Sequence, residues 1–514
     1  MLINIKDIVY NKRAMKLIYL TSRSATIELE NDLPYYNSQE FDIFLNSSLF
    51  RKERRNVFTL FGLEPSKRYV VKVMDEEIEF VTKYESMVIY SSELNLYGDG
   101  INDDTSKLQA GIMMLSDRGT LYIEKGTYKV SSLFLKSNMT LYLEKGAKIV
   151  GDNIRSHLAY VPSNSHLSLG SFEGGEVTTF ASTIMMMNVS DVDFIGEGEI
   201  DERAKEGDWY INHREVRGAY RGFGMYIYRS SNIGVAGIYI HNTPSWNLHP
   251  YLSTNLGFYS MRIENEPMMP TTDGIDIDCC KDVVIKGNYI SVGDDCIAIK
   301  SGTYELAKKF KTISKDIVIE NNFMDRGHGG VVFGSESSGG IKNVKVSKCI
   351  FSSTDRGLRI KTRRGRGKVD TIDNVYFNNI LMEKVGTPFV INMFYNMGPK
   401  GGHEEYVWSY SYKERTELTP YIGKFKFSNI VCKDVKFAAG VFLGLPEEPI
   451  KEVHLENVSF TFDKDATEDF PVMIEHNRKM KNEGLYCLNV DKIILDNVSF
   501  EGVKGKELVE EKSY

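Results

Sequence analysis

Residues from about 190 to the C-terminus repeat one pattern, in which a polar pair precedes alternating apolar residues, often with an asparagine close by. Alternation with period two is typical of a β-strand with one buried face. Four of these repeats begin at Asp282, Asp316, Asn343 and Asn374, so that successive starts are 34, 27 and 31 residues apart. This is a solenoid period with variable turns. A run of βα units is the alternative, but the helical stretches it requires between the strands are missing. We therefore predict an all-β chain in which residues 90–514 form a right-handed parallel β-helix.

Residues 1–85 are predicted to form a separate small β-sandwich, because short strand-like runs alternate there with turn residues. The run LFGLEPSKRYVVKV resembles the end of a fibronectin type III domain, in which a Leu-x-Pro turn precedes a Tyr-x-Val strand. The module contains no catalytic constellation. It is either a packing or spacer domain, or a module that shapes one end of a cleft or holds subunits together.

A helix is predicted directly after this module, where Asp103, Asp104 and Thr105 can cap its first turn. It would cover the first coil of the solenoid, whose end is otherwise an exposed sheet edge. Its apolar stripe consists of Leu108, Ile112 and Leu115.

Composition limits the function classes. The 514 residues are 42% apolar and 26% charged, and the formal net charge of −7 disfavours non-specific binding to nucleic acid or to an anionic membrane. No apolar run reaches 18 residues, and the start of the chain lacks the features of a signal peptide. We expect a cytoplasmic location and buried, reduced thiols rather than disulfides or a metal site. The six cysteines are Cys279, Cys280, Cys296, Cys349, Cys432 and Cys487.

Three long insertions interrupt the repeats, at 152–182, 201–222 and 396–420. Structureless loops of this length in a compact domain are usually functional. Aromatic and basic side chains in them suit stacking on sugar rings and pairing with carboxylates, whereas decoration packed on the solenoid is the alternative. These side chains include Trp209, Tyr210, His213, Arg214, Arg217, Tyr220, Arg221, His403, Trp408, Tyr410 and Tyr412.

Candidate chemistry centres on the stretch from Thr271 to Gly302, which carries several aspartates beside glycines. Asp273, Asp295, His328 and Arg359 are 22, 33 and 31 residues apart, so that they fall on adjacent coils. Asp294 adjoins Asp295, and Lys361 shares a strand face with Arg359. Inverting glycoside hydrolysis requires a protonated carboxyl and a second carboxylate that activates water, about 6.5–9.5 Å apart. Singly, these residues are more often turn, surface or core residues.

The run from Arg359 to Lys368 contains six basic residues in ten. Nucleic acid would explain it in isolation, but the three aspartates of the same cleft would repel phosphates. A polyuronate fits better, because arginine pairs bidentately with carboxylates.

Four motifs resemble those of glycoside hydrolase family 28, the polygalacturonases. They stand as TTD at 271–273, GDD at 293–295, GHG at 327–329 and RIK at 359–361. The resemblance implies a parallel β-helix with Asp294 as general acid, Asp273 and Asp295 as the groups that activate water, and no metal ion or other cofactor. It also implies a supporting role for His328. The implied substrate-binding residues are Arg359, Lys361, Tyr395 in NMFY and, by likeness to bacterial members, His249 in NTPSWNLHP.

One departure from the family pattern is Thr271, which stands where the family usually has asparagine. We expect an exo-acting polygalacturonase that takes oligo- or polygalacturonate, binds neither nucleic acid nor membrane and can form a homo-oligomer. A rhamnogalacturonan hydrolase or a pectate lyase on the same fold are alternatives. A non-catalytic polysaccharide-binding solenoid is the alternative outside the enzymes.

Overall fold

The protein is described by a computed structural model that covers residues 15–164, 169–311, 313–367, 371–396, 404–474 and 477–513. The predicted parallel β-helix is confirmed: two large sheets, of 12 and 23 strands, contain parallel pairings throughout. The chain passes alternately through the two sheets, and each passage through both sheets forms one coil of the solenoid. None of the described helices is long and apolar enough to cross a membrane.

The twelve-stranded sheet carries the candidate site on its outer face. Its strands are Leu133–Phe134, Ile184–Met187, Met225–Tyr228, Leu248–Tyr251, Ile275–Asp278, Asp295–Lys300, Gly329–Phe333, Arg356–Lys361, Thr387–Asn392, Ala438–Leu443, Glu483–Leu488 and Lys504–Glu511.

The 23-stranded sheet forms the remaining walls of the solenoid. Its strands are Val88–Tyr90, Asp99–Asp103, Gly119–Ile123, Gly126–Val130, Met139–Leu143, Ala147–Gly151, Ser190–Gly196, Glu199–Asp201, Ser231–Ala236, Tyr239–His241, Thr254–Tyr259, Arg262–Glu264, Lys281–Lys286, Tyr289–Ser291, Ser314–Glu320, Phe323–Asp325, Ile341–Ser347, Ile350–Ser352, Thr371–Glu383, Tyr421–Ile422, Lys424–Val435, Glu452–Phe462 and Ile493–Glu501.

The core is a set of stacked apolar ladders, because each inward residue lies directly above its counterpart in the next coil. One ladder joins Val283, Ile317 and Val344 by register, and every member is buried. Full burial of such a side chain stabilises the fold by about 1.5–3 kcal/mol relative to exposure. All six cysteines belong to the described part of the chain, are buried and form no disulfide with one another. The period-two pattern thus builds one continuous core.

Asparagines close the turns of the later coils. Asn429, Asn457 and Asn497 adopt φ of 55, 53 and 52°, a left-handed conformation that asparagine tolerates better than most residues. The side-chain amide of each donates to the residue one coil earlier: Asn457 Nδ2 lies 3.1 Å from Asn429 Oδ1, and Asn497 Nδ2 lies 2.8 Å from Asn457 Oδ1. The recurring asparagine of the sequence is therefore a stacked turn residue.

A helix at Thr105–Met114 covers the first coil, and its predicted stripe is buried. Asp103 Oδ1 accepts a hydrogen bond from the Thr105 N–H at 3.0 Å, whereas the N-cap residue, Asp104, makes no side-chain capping bond. Asp104 instead accepts from the N–H groups of Tyr97 and Gly98.

The other helical segments are short: Tyr304–Phe310, Glu405–Trp408 and the 3₁₀ turns Ser91–Leu94, Arg155–His157 and Ala204–Glu206. Two small antiparallel hairpins pair Tyr160–Val161 with Thr179–Phe180 and Ser171–Phe172 with Gly175–Glu176.

The described part of the N-terminal module forms two antiparallel sheets of three and four strands around its own apolar core. Residues 1–14 lie outside the described residues, and the resemblance to a fibronectin type III domain stays a prediction. The strands are Met15–Leu20, Ser24–Leu29, Tyr36–Leu45, Ser48–Arg55, Val57–Phe61, Arg68–Val73 and Glu76–Val81.

This module packs on the outside of the 23-stranded sheet. The rings of Tyr19 and Tyr259 stack with centroids 4.9 Å apart, and Tyr19 Oη donates to Asp193 at 2.5 Å. A side chain on Gly234 would collide with Tyr19, and one on Gly237 with Phe61, so that both glycines permit close approach. The module therefore docks away from the candidate cleft rather than at one of its ends.

A buried ion-pair cluster links the module to the solenoid. Lys286 Nζ lies 2.7 Å from a Glu28 oxygen and 2.8 Å from a Glu320 oxygen, and all three side chains are nearly buried. Burial opposes ionisation of Glu320, but Lys286 and the lysines beside it outweigh that effect and lower its pKa to about 2. Lys286 is therefore the cation on which two buried carboxylates depend.

We predict that Lys286→Met lowers the free energy of unfolding by about 3 kcal/mol at pH 7, because it leaves two carboxylates buried without a shared counter-ion. A carboxylate with a depressed folded pKa stabilises the protein above its unfolded pKa and loses that contribution as the pH falls toward its folded pKa. The difference between variant and wild type should therefore shrink between pH 7 and pH 3.5. Urea unfolding at both pH values measures it.

Lys345→Met is the matched control, because Lys345 approaches the same Glu320 at 3.9 Å while its own side chain is 55% exposed. An exposed pair of this kind contributes about 0–1 kcal/mol. Equal destabilisation by the two substitutions would contradict the role assigned to the buried lysine.

Candidate active site

Four consecutive strands of the twelve-stranded sheet bring the motif residues together. Ile275–Asp278, Asp295–Lys300, Gly329–Phe333 and Arg356–Lys361 pair in that order, each one coil further along. Paired strands lie about 4.8 Å apart, so residues separated by more than 20 positions in the chain become neighbours. The spacing of the four motifs accordingly places them beside one another.

Three aspartates converge at the start of these strands. One oxygen each of Asp273, Asp294 and Asp295 lie within 4.8 Å of one another. Asp273 and Asp295 are buried, whereas the Asp294 side chain is 25% exposed. This is the spacing of one oxygen from each group and not the separation of the acid and base carboxyl groups, so it does not by itself assign the stereochemistry.

Asp295 is held by two cations, one on each oxygen. Lys361 Nζ lies 2.7 Å from Oδ2 and Arg359 Nη1 lies 3.2 Å from Oδ1. Burial alone would raise the pKa of Asp295, but Lys361 and Arg359 outweigh burial and hold the pKa well below its usual range. Ile360, between these cations, is fully buried in the core, as strand alternation predicts. Asp295 is therefore an ionised carboxylate whose orientation is fixed.

Asp294 is paired with a histidine at the mouth of the site. His328 Nδ1 lies 3.2 Å from Asp294 Oδ1, and the Thr271 N–H donates to Asp294 Oδ2 at 3.2 Å. Burial opposes ionisation of Asp294, but the hydrogen bond from His328 prevails and lowers its pKa. The same hydrogen bond raises the pKa of His328. Both shifts favour the proton of this pair on the imidazole.

Asp273 lies in the opposite electrostatic environment. Burial, followed by the charges of Asp276 and Asp294, raises its pKa well above the ordinary value. Asp276 is also fully buried, and burial raises its pKa to about 8 even though Lys300 Nζ lies 3.3 Å from Oδ1. Burial thus favours the protonated form of Asp273, whereas its two cations favour the ionised form of Asp295.

Glycines fix the motif loops because the backbone passes other groups too closely for a side chain. A Cβ on Gly293 would lie 2.4 Å from the Met269 carbonyl oxygen. At Gly327, which adopts φ of 127°, a Cβ would lie 2.6 Å from the carbonyl oxygen of Asp294. The backbone N–H of His328 donates to that same carbonyl at 2.9 Å. These contacts set the position of His328 relative to Asp294.

Thr271 is the residue that departs from the family pattern, and an arginine supports it. Its backbone is left-handed, with φ of 59°, a conformation unfavourable for a β-branched residue but tolerated by asparagine. Thr271 Oγ1 donates to the Pro270 carbonyl at 2.6 Å and accepts from Arg221 Nη2 at 2.7 Å. These bonds hold the loop whose N–H contacts Asp294.

The aspartates open into a cleft of about 130 Å³. Sequence reasoning missed several charged residues in its walls, of which Lys300 ends the strand after GDD and Glu336 follows GHG. The only feature of the sequence that could have identified these two residues is their position a few residues after a motif. The lining residues are Glu173, Trp246, Thr271, Asp273, Asp294, Asp295, Lys300, Thr303, Ser335, Glu336, Lys361, Arg363, Arg366 and Tyr395.

Two predicted substrate-binding residues occupy unexpected places. His249 is fully buried among aromatic rings, 3.6 Å from Asp278 and outside the cleft lining. This placement does not support direct contact with a substrate. Arg359 is also buried and contacts Asp295 rather than the cleft, with its guanidinium 5.8 Å from the Tyr395 ring centroid. Lys361 and Tyr395 do line the cleft.

Most aromatic and basic residues of the insertions serve the fold. Trp209 is buried against Arg155, and Arg217 pairs with Asp208 and Glu215. Tyr410 packs edge-on against the buried Phe394. Residues 165–168 and 397–403, which include His403, and Lys368 of the basic run lie outside the described residues. The expectation that the insertions supply sugar-stacking rings is therefore not supported for these described residues.

One insertion does form a wall of the cleft. The hairpin that joins Ser171–Phe172 to Gly175–Glu176 places Glu173 in the lining. Thr303 Oγ1 donates to the Gly174 carbonyl at 2.9 Å, and a side chain on Gly174 would meet Glu336 at 2.5 Å. The hairpin tip thus rests on the loops that follow the second and third motif strands.

The three clustered carboxylates are also a donor set for a divalent cation. Lys361 and Arg359 already neutralise the charge of Asp295, however, and His328 pairs with Asp294. A second cluster, formed by Glu199, Asp201 and His241, is likewise occupied, because Lys148 lies 2.9 Å from both of its carboxylates. In both sets a cationic side chain therefore lies among the carboxylates.

Comparison with known proteins supports one family. The profile of the glycosyl hydrolases family 28 matches residues 169–407, which include all four motifs. A probable polygalacturonase of Vitis vinifera is 28% identical over 370 residues, which are 70% of this chain and 72% of that protein. An endo-polygalacturonase of Pectobacterium carotovorum subsp. carotovorum is 33% identical over 196 residues, which are 38% of this chain and 45% of that protein.

Among solved structures, the family 28 exopolygalacturonase of Yersinia enterocolitica superposes with a TM-score of 0.72 at 17% identity, covering 98% of each chain. At this identity the likeness concerns the fold. The profile match, the relatives and the carboxylate site support a place for this chain among the family 28 glycosyl hydrolases, and the chain is a glycoside hydrolase.

Proposed function

We propose that the protein hydrolyses α-1,4-galacturonosyl linkages of oligo- or polygalacturonate from a chain end, with inversion at the anomeric carbon. The observation that carries this proposal is the arrangement of three carboxylates beside Lys361 in a cleft with a wall. Carboxylates supply the acid and base of glycoside hydrolysis, and an adjoining cation suits a substrate that is itself a polyanion.

Asp294 is the general acid of this proposal. It is the most exposed of the three aspartates and shares a proton with His328 at 3.2 Å. A uronate entering the cleft adds negative charge, which raises the pKa of Asp294 and moves the shared proton onto it. Asp294 then protonates the leaving oxygen, and His328 returns a proton to it from solvent.

Asp295 is the base in this scheme. Attack by water at the anomeric carbon releases a proton, which Asp295 accepts because Lys361 and Arg359 keep it ionised before the reaction. Burial and the neighbouring carboxylates favour the protonated form of Asp273, so its proposed role is to orient the water by hydrogen bonding. Asp295 and Asp273 therefore have different roles in this proposal, although the family resemblance assigns both of them to the activation of water.

Inversion is favoured because no aspartate is suited to attack carbon itself. A nucleophilic carboxylate must be ionised and have an oxygen free to approach the sugar. Lys361 and Arg359 fix the Asp295 carboxylate with one hydrogen bond to each oxygen, so that its remaining lone pairs serve a water molecule, and burial favours the protonated form of Asp273. Water held between these residues is the remaining nucleophile.

Action from a chain end is supported by the hairpin at Ser171–Glu176. Its contact with Thr303 and Glu336 crosses one side of the cleft. A groove walled in this way accepts a terminus, whereas an open solenoid groove accepts the middle of a polymer.

We predict that Asp294→Asn lowers kcat by about 10²–10⁴-fold, because an amide cannot donate the proton that the leaving oxygen requires. Release of reducing ends from trigalacturonate measures the rate, and circular dichroism with thermal unfolding checks the fold. Asp282→Asn is the control, since Asp282 is an exposed aspartate on the 23-stranded sheet. Near wild-type turnover by folded Asp294→Asn would reject the assignment.

We predict that kcat/KM falls as the pH rises through the raised pKa of His328, above its ordinary value of 6.5. The imidazolium is present below that pKa and lost above it, and with it the proton that Asp294 needs. In His328→Gln the proton must reside on Asp294 alone, so the alkaline limb should move to lower pH by at least about one unit. His157→Gln, which alters a His–Asp pair outside the cleft, is the control. An unchanged alkaline limb in His328→Gln would refute the shared proton.

A single digestion of polygalacturonate tests both chain-end action and inversion. We predict that mono- or disaccharide is released from the outset while viscosity falls slowly. Proton NMR of the first product should show the β-anomer before mutarotation, because inversion converts an α-linkage into a β-hemiacetal. An early ladder of oligomers with a rapid loss of viscosity would show an endo-acting enzyme. An initial α-anomer would show retention, and an unsaturated product absorbing in the ultraviolet would show a lyase.

A further inference from the structure

We propose that Arg221 is a positioning residue for the general acid, because it holds the turn at Thr271 whose N–H fixes the orientation of Asp294. In this orientation Oδ1, the oxygen beside His328, is the one that carries the proton to the leaving group. The inference rests on the proposed function, since it takes Asp294 as the acid. It adds an arginine that belongs to none of the four motifs and comes from the insertion at 201–222.

Arg221 is a buried bridge between two turns of neighbouring coils. It is 6% exposed, and its guanidinium donates to the Pro244 carbonyl from Nη1 and to Thr271 Oγ1 from Nη2, at 2.7 Å in each case. The Phe172 ring lies beside it, with the guanidinium carbon 5.9 Å from the ring centroid. Burial lowers the pKa of Arg221 to about 10, so the side chain stays charged at neutral pH. A planar guanidinium held in this way is a rigid support.

The turn at Thr271 needs such a support. Its φ of 59° is a left-handed conformation, which a β-branched residue adopts only at an energetic cost. The Thr271 hydroxyl donates its own proton to the Pro270 carbonyl at 2.6 Å, so its oxygen is available to accept from Arg221. Next in the chain, Thr272 Oγ1 accepts from the Gly293 N–H at 3.1 Å. Arg221 therefore acts on a turn that is tied directly to the GDD motif.

The Thr271 N–H decides which oxygen of Asp294 becomes the acid. It donates to Oδ2 at 3.2 Å, whereas His328 Nδ1 lies 3.2 Å from Oδ1. A backbone N–H can only donate, so Oδ2 serves as an acceptor and the proton is favoured on Oδ1, where the imidazole supplies it. A hydrogen bond to the ionised carboxylate also favours that form. The turn therefore controls both the direction in which the proton leaves and how readily Asp294 releases it.

Structural support of the insertion alone is the competing role, and Arg217 shows what that role looks like. Arg217 belongs to the same insertion and pairs with Asp208 and Glu215, which both lie within residues 201–222. The contacts of Arg221 instead reach outside the insertion. Arg217→Met is therefore the matched control for Arg221→Met.

The experiment measures kcat and KM on trigalacturonate for Arg221→Met, Thr271→Val and the double variant. Either substitution removes the hydrogen bond between these residues, one through its donor and the other through its acceptor. We expect each to lower kcat by about 10–100-fold, because a catalytic group displaced by about 1 Å loses that much. KM should change by less than about threefold, since the proton is needed only in the transition state. The double variant should be no worse than the more impaired single variant, because both substitutions break one contact.

The pH profile is a readout that a purely structural role would not move. In His328→Gln, where Asp294 alone holds the proton, addition of Arg221→Met should shift the alkaline limb of kcat/KM to higher pH by about 0.5 pH unit or more, because loss of the N–H bond raises the pKa of Asp294. Addition of Arg217→Met should leave that limb in place. The other charged groups around Asp294 are unchanged in these variants and are Asp273, Asp295 and Lys361.

Thr271→Asn is the rescuing variant, because asparagine tolerates the left-handed conformation without help. In that background Arg221→Met should lower kcat by less than about threefold. An undiminished loss there would show that Arg221 does not act through the turn and would overturn the inference.

Thermal unfolding of every variant separates loss of fold from loss of activity. Should Arg221→Met not fold, Thr271→Val carries the test, since it leaves the arginine and its bond to Pro244 in place. A kcat close to that of wild type in folded Thr271→Val, an equal loss in Arg217→Met, or an unmoved alkaline limb would overturn the positioning role and leave Asp294 as the acid. Near wild-type turnover by Asp294→Asn would instead overturn the acid assignment, and this inference with it.

Discussion

The in-register stacking of coils is the constraint on which the rest of this structure depends. Parallel pairing sets neighbouring strands about 4.8 Å apart, and each side chain must then be compatible with the one directly above it. Apolar residues meet this requirement as core ladders, as at Val283, Ile317 and Val344, and asparagines meet it at the turns. On the outer face of the twelve-stranded sheet the same spacing forces like charges together. The aspartates of the site can be so close only because cations and protons are distributed among them.

That distribution gives each carboxylate a different state. Two cations keep Asp295 ionised, Asp294 shares a proton with His328, and burial favours the protonated form of Asp273. One small cluster therefore holds carboxyl groups with opposite protonation preferences, which is a usual arrangement in hydrolytic chemistry. The family resemblance implied Asp294 as the acid and treated Asp273 and Asp295 alike, and burial and partner geometry are what distinguish those two. Burial and partner geometry are properties of the fold, and the residue types alone do not contain them.

Periodicity and motifs predicted the solenoid, the capping helix and the meeting of the four motifs, because strand alternation and coil length are local properties of the chain. The side of the cleft opposite the motifs was not predicted. Lys300 and Glu336 are single charged residues without a distinctive pattern, and only the crossing of separate loops makes them partners. His249, on a strand, and Trp209, in an insertion, are buried outside the cleft lining, although the sequence predicted substrate contact for the first and sugar stacking for the second. An aromatic or basic residue can bind a sugar or pack beneath its neighbours, and burial, which decides between these roles, depends on how the chain folds around it.

The contact between Arg221 and Thr271 links a peripheral loop to the acid of the site. Arg221 belongs to the insertion at 201–222, and Thr271 donates its N–H to Asp294 from a backbone conformation that threonine disfavours. Threonine at 271 and arginine at 221 thus act as one structural unit. Shortening that loop would remove the support of the turn at Thr271 without altering any motif residue. Transferring the four motifs to a β-helix that lacks the insertion would have the same effect.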